Sequence, residues 1–514
     1  MTSAAWVEAE APRHVKAASH YAWPAAVSFT LLLAIVCGGS SEANSAGFIT
    51  FRLLCIGLFA AALYRLQSMR LSRMEWLTLV LAMAGVAIVA LQLIPIPAGL
   101  FASLPGREFV AKTFSVAGIE PHAMPLTLIP AATWGCILAL LPPLAMLLSV
   151  MTMEPRTRWY LVGVVLIGAA ANVFLGLAQR FLGAKSGLYL YEISNFGSAT
   201  GFFSNRNNFS MLLCVAIPLT WAMTHKLIRM RLTTPPLAIG AGAVMMIIIF
   251  MGLAASNSRS GILLGMLALT LSTVMVLAAP SESRRSRRTR MSVIALLGGA
   301  FIIGQFGMTG ILRVIETDPM TEYRTQIRQV TWRAAADYFP LGSGFGTFVP
   351  VYGMHETPAT MVSSYVNHAH NDWLELWLEG GLPAAALMVC FVLLFVWQAV
   401  RIWNPKGAYA SAVLPRAASV GALVLLLHSL VEFPLRMPAL AVIFAALIAI
   451  MMAPPPRHTP SARKRGARNE EPLRERDEVP VAVAPPVFQV ARDTAGLRRH
   501  QISATGSLGR RQKS

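Results

Sequence analysis

Residues 435–453 read LRMPALAVIFAALIAIMMA. Beyond Arg436 no charged side chain interrupts the run, and its length matches the roughly 20 apolar residues a helix needs to cross a hydrocarbon core. A soluble amphipathic helix would show a charged face at regular intervals; this one has none. Residues 291–309, MSVIALLGGAFIIGQFGMT, read the same way. The chain is 55% hydrophobic and only 13% charged, where a soluble domain carries about 25% charged residues. Working outward from these two blocks, twelve spans are expected, at about 21–38, 47–64, 75–96, 128–151, 159–181, 207–224, 236–254, 261–279, 291–309, 383–401, 417–432 and 435–453. The fold class is therefore an all-α polytopic membrane protein with one large loop, 310–382, between spans 9 and 10.

Charge sets the orientation. With twelve spans, Arg65, Arg70 and Arg73, then Arg156 and Arg158, Lys226, Arg229 and Arg231, the arginines at 284–290, and Arg401, Lys406 and Arg416 all fall on one side. The opposite short loops are poor in Lys and Arg, which places the basic set and both termini in the cytoplasm. The formal charge of +19 is thus membrane topology, and no basic stripe interleaved with aromatics points to nucleic acid. Residues 1–20 carry Glu8, Glu10, Arg13 and Lys16 and read as a cytoplasmic segment before an uncleaved first span. Residues 454–514, rich in Pro, Arg and Glu, read as a disordered basic cytoplasmic tail. The five cysteines sit in or beside apolar blocks, show no metal-ligand spacing and are expected to be small buried hydrophobes.

Polar groups gather on the outward side. Arg206 and Arg259 stand at outer span ends, where the positive-inside bias makes arginine unexpected; snorkelling to headgroups is the ordinary alternative. In the long loop, Arg324 and Arg328 are four apart and share a helix face. Two guanidiniums so placed suit a multi-oxygen anion such as pyrophosphate, while pairing with Glu316, Asp318, Glu322 or Asp337 would explain them equally. Phe339-Pro340-Leu341-Gly342-Ser343-Gly344-Phe345-Gly346 is a glycine-rich turn. Its N–H groups at Gly344 could meet an anion, although a plain turn is the default. Asn367-His368-Ala369-His370-Asn371-Asp372-Trp373-Leu374-Glu375 contains a histidine just before a helix entry, suited to a general base. Asn371 or Asp372 would cap that helix, and Glu375 and Glu379 share its face. Two histidines two apart, without a third ligand at a defined spacing, do not make a metal site; neither metal nor cofactor is expected. His428 and Glu432, four apart, are expected to pair.

Taken together, Asn205-Arg206-Asn207, Ser258-Arg259-Ser260-Gly261, Arg328 with Trp332, the Phe339–Phe348 turn, His368–Glu375 and the His428–Pro434 ending resemble the O-antigen ligase and polymerase family, over roughly residues 190–435. The resemblance implies a bacterial inner-membrane enzyme that moves glycan from an undecaprenyl-pyrophosphate carrier to a glycan or lipid A-core acceptor on the periplasmic face, without metal. It implies that Arg259 and Arg328 bind the pyrophosphate, that His370 orients or deprotonates the acceptor hydroxyl, and that Arg206 and Asn205 line the site; Arg324, His368, Asn371 and Gly344, read from the residues themselves, are expected as further substrate contacts. Ligase and polymerase both remain open. A lipid-linked glycan transporter is the alternative of another class; transporters more often carry midplane charges and repeated halves, and the chain shows no repeat.

Overall fold

The computed structural model describes residues 13–40, 46–120, 122–277, 319–361, 365–409 and 412–455. The ninth expected span (291–309), the arginines at 284–290, the first residues of the N-terminal segment and the tail from 456 lie outside them. Eleven long helices correspond to the other expected spans: α1 Arg13–Cys37, α2 Ala46–Leu66, α3 Arg73–Leu91, α6 Pro130–Met151, α7 Arg158–Leu182, α8 Arg206–Arg229, α9 Pro235–Ser256, α10 Arg259–Leu277, α13 Asp372–Trp403, α14 Val413–His428 and α15 Pro438–Met452. Seven are long and apolar enough to cross a membrane, and four carry shorter apolar stretches. Their ends are written in the sequence. Ser72 and Glu75 form a reciprocal capping box on α3, Asn205 caps α8, Asn257 closes α9 in the left-handed region, and Pro235 and Pro438 open α9 and α15.

Helix α8 is the central post. Nearly every side chain from Asn207 to Ala222 is buried, against α7, α9, α10 and α14. Helices α2, α3 and α9 instead expose large apolar side chains such as Leu53, Trp76 and Ile247, the pattern of lipid-facing helices. Four further helices lie outside the expected spans, α4 Ala98–Ser103, α5 Glu108–Ala117, α11 Pro319–Asp337 and α12 Phe348–His355, with a 3-10 turn at Pro434–Arg436 and a two-residue antiparallel pair joining Pro95–Ile96 to Met124–Pro125.

One end of the bundle is knitted by backbone hydrogen bonds between distant segments: Ser204 N to Gly39 O, Ala439 N to Gly38 O, Ala199 N to Ala255 O, Leu128 N to Ser343 O and Asp372 N to Ser429 O. At the other end, Arg65 stacks on Trp23, whose ring N–H reaches Thr152, and Lys226 stacks on Trp159. These two basic side chains therefore stand opposite the knitted end. Helix α13 differs from its expected form. It starts at Asp372 rather than near 383, so the long loop finishes as a helical arm continuous with the span. The two arms meet at Gly381, whose backbone leaves the helix (φ 57°, ψ −147°). A Cβ there would stand 2.2 Å from Pro340 O, and one on Gly342 would stand 2.7 Å from Gly381 N. Only glycine at both positions lets the Phe339–Gly342 turn dock into the bend.

Candidate functional site

The knitted end holds one carboxylate with an unusual set of neighbours. Helix α14 stops at His428, and the following turn carries Glu432 into the interior, fully buried. Its Oε1 accepts hydrogen bonds from Arg324 Nη2 of α11 and from Asn207 Nδ2 of α8. Its Oε2 accepts from His370 Nδ1 at 3.1 Å. Asn207 Oδ1 in turn accepts from Ser258 Oγ at 2.7 Å, and that hydroxyl also receives the Gly261 N–H. His428 Nε2 lies 3.2 Å from Ser260 Oγ. Thus the residues on both sides of Arg259 and the one after Arg206 are fixed to the same cluster as Arg324 and His370. Burial alone would raise the Glu432 carboxyl; the His370 hydrogen bond and the Arg324 charge outweigh it and hold the group down at about 2. It is an anion throughout the physiological range.

A second knot lies beside the first. Asp372, Glu375 and Glu379 fall on one face of the short arm of α13, and Arg436 reaches all three, at 3.5, 3.3 and 3.0 Å. Burial would weaken that cation, but the three carboxylates push its pKa up. Each carboxylate also holds backbone. Glu379 takes the N–H groups of Gly346 and Phe348; Glu375 takes Ala369 N–H and the His368 ring at 3.0 Å; Asp372 takes Leu435 N–H. The glycine turn and the histidine loop are thereby tied to one helix. From the other side Gln92 bridges Glu379 O and Phe345 N, and buried Arg107 donates to Leu126 O and Gly342 O.

Between α11 and α13 a groove of about 920 Å³ runs from this polar end down the membrane-spanning arm. Arg328, Gln329 and Arg333 edge its top, Trp332 and Trp377 stand edge to face with centroids 4.5 Å apart, and Met388, Val389, Val392 and Leu393 line its lower wall. Its walls are almost wholly apolar below a cationic rim, a shape that suits an amphiphile with an anionic head.

Residues 244–389, from mid-α9 to the lower arm of α13, match the family model described as O-antigen ligase. This stretch is similar to the O-antigen ligase family. With it the chain takes an O-antigen ligase- or polymerase-like place in glycan biosynthesis. No curated protein matches the chain significantly. The family segment contains Arg259, Arg324, Arg328, His368, His370 and Asn371, whereas Glu432, Arg436 and Asn207 lie outside it.

Within this O-antigen ligase-like frame the residues singled out in the sequence have distinct places. His370 is on the Glu432 cluster, its side chain 17% exposed, with a left-handed backbone (φ 50°) that is uncommon outside glycine. His368 is engaged by Glu375, and the Phe433 ring packs on both imidazoles, with centroids 4.4 and 5.2 Å away. Arg328 faces the groove, and one turn away Arg324 is turned inward onto Glu432 rather than standing beside it as half of a free two-guanidinium clamp. Asn371 caps α13 through Trp373 and Leu374 N–H while lining the groove. Asn205 caps α8 through Asn207 N–H, a local task that any helix start demands. The glycine turn corrects the anion expectation: Gly344 N–H goes to Glu379 O, and the N–H groups of residues 343 and 345–348 that hydrogen-bond do so to protein acceptors. Gly344 is required for closeness, since a Cβ there would meet Thr127 at 2.0 Å. The expected His428–Glu432 pair is also replaced. The helix ends between them, and each side chain takes another partner.

Proposed function

We propose that the protein transfers a glycan from an undecaprenyl-pyrophosphate carrier to an acceptor hydroxyl on the outer face of a bacterial inner membrane. The observation that carries this reading is the joining of a head site to a tail groove. A histidine and arginines from separate segments converge at one end of the bundle, and the apolar groove leads from them down the spanning arm of α13. In the proposed reaction the acceptor O–H gives its proton to His370 Nε2, and its oxygen forms the new bond to the anomeric carbon. The bond from that carbon to the phosphate oxygen breaks, and the electron pair leaves with the pyrophosphate. Arg328 at the groove rim and Arg259 at the start of α10 stabilise the charge that develops there. One such preorganised donor is worth about 3 kcal/mol in the transition state, and a positioned base contributes about a hundredfold or more. Direct displacement inverts the anomeric centre. Ligation to a lipid A-core acceptor and polymerisation of repeat units use the same step and differ only in the acceptor.

The test is genetic and biochemical. In a deletion strain, Arg259→Ala, Arg328→Ala and His370→Ala copies are expected to express normally yet fail to restore surface glycan. Normal surface polysaccharide from all three would sink the reading. In the deletion strain itself, long chains left on the carrier identify a ligase, and single repeat units identify a polymerase.

A further inference from the structure

We infer that Glu432 is the positioning carboxylate of His370, holding the proton on Nδ1 so that Nε2 presents its lone pair to the acceptor. The inference rests on the transfer reading above and assigns a role to a residue outside the matched family segment. Four observations support it. The carboxylate divides its work: Oε1 serves Arg324 and Asn207, while Oε2 is reserved for His370. A carboxylate accepts only, so the facing Nδ1 must donate, and a neutral imidazole then carries its lone pair on Nε2. Nε2 has no protein partner among the described residues, and the ring is partly exposed while Glu432 is fully buried. Finally, the Phe433 ring flanks the imidazole at 5.2 Å and the His370 backbone is held in the left-handed region, so ring rotation is limited from both ends.

A plain buried ion pair with Arg324 would not need the second oxygen to be aimed at a histidine from a loop 62 residues away in sequence. The same logic orders a metal-bound or catalytic imidazole elsewhere: the group behind the ring fixes the tautomer, and its loss leaves the base in place but wrongly protonated. In Glu432→Gln the amide can satisfy Arg324 and Asn207 only by accepting from them through its oxygen. Its NH2 then faces Nδ1, and the proton is forced onto Nε2.

The experiment is a double-mutant cycle on purified, reconstituted full-length protein, with a polyprenyl-pyrophosphate-linked glycan and a core-glycolipid acceptor. Glu432→Gln is expected to lower kcat about a hundredfold or more with the donor KM changed by less than about threefold. In the His370→Ala background it is expected to add no further loss, because a positioning group acts only through what it positions. Should Glu432→Gln fail to fold, Glu432→Asp keeps the charge, retracts it by one methylene and is expected to show the same non-additivity. Losses that multiply with His370→Ala, or wild-type turnover in the Glu432 variants, would overturn the assignment. Wild-type turnover in His370→Ala alone would instead remove the transfer reading's base.

Discussion

Replacing Arg436 by alanine removes the only cation that touches Asp372, Glu375 and Glu379 among the described residues. At an effective dielectric near 20, each of those contacts, at 3.5, 3.3 and 3.0 Å, is worth roughly 5 kcal/mol before desolvation. Desolvation of the ions and repulsion among the carboxylates cancel most of that. The net cost of leaving buried carboxylates without their partner is about 3–5 kcal/mol, a large share of a stability that is only about 5–15 kcal/mol for a typical domain. Because Glu379 and Glu375 also hold the N–H groups of Gly346, Phe348 and Ala369, the loss falls on the glycine turn and the histidine loop rather than on the spans. The apparent melting temperature of Arg436→Ala in detergent is therefore expected to drop by several degrees at pH 7.5. The deficit is expected to shrink at pH 5, where protonation relieves the crowded carboxylates. Proteolysis of the 340–370 region should accelerate while the spans stay protected. Adding Asp372→Asn and Glu375→Gln to Arg436→Ala should recover part of the melting temperature. A variant within about one degree of wild type at pH 7.5, or a deficit that does not change with pH, would refute the argument.

Two further predictions follow from the same geometry. Gly381→Ala places a Cβ 2.2 Å from Pro340 O at a φ of 57°, a cost of about 3 kcal/mol or more; it should lower melting temperature and transfer activity together, and wild-type behaviour would contradict the docked-turn account. Glu432 is held near 2 against an ordinary 4.5, so its contribution is complete above about pH 4.5 and is lost as pH falls toward 2, about 3 kcal/mol in all. The lead in melting temperature of wild type over Glu432→Gln should accordingly narrow between pH 5 and pH 3 and stay flat above pH 5.

Apolar spans were readable because burial in lipid needs only length and apolarity, and blocks such as 128–151 and 236–254 satisfy both without any partner being known. The cluster at one end was readable in part. His370 and Asn371 stand in a local pattern of histidine and helix cap, and Arg328 stands one turn from Arg324. What the sequence hid depends on distance along the chain. Glu432 bonds to residues 62, 108 and 225 positions away, and Gln92 reaches Glu379 across 287. The i, i+4 rule pointed Glu432 at His428 because it assumes an unbroken helix, and α14 ends at His428. One signal for the second knot was present: Asp372, Glu375 and Glu379 on a single helix face demand a cation, and Arg436 is a lone charge in an otherwise apolar ending. Gly344 misled because glycine at positive φ serves close packing as readily as anion binding, and only the destinations of the N–H groups separate the two.

The bend at Gly381 divides α13 into two limbs of one lever. The short limb carries Asn371, Trp373 and Trp377 on its groove side and the carboxylates that anchor the histidine loop on its other side. The long limb offers Met388, Val389, Val392 and Leu393 to the same groove. A chain molecule lying in that groove touches both limbs at once and acts as a splint across the joint. If the proposed lipid-linked donor lies there, seating its tail would also stiffen the limb that anchors the histidine loop, and a donor with a shortened tail is expected to lose turnover as well as grip.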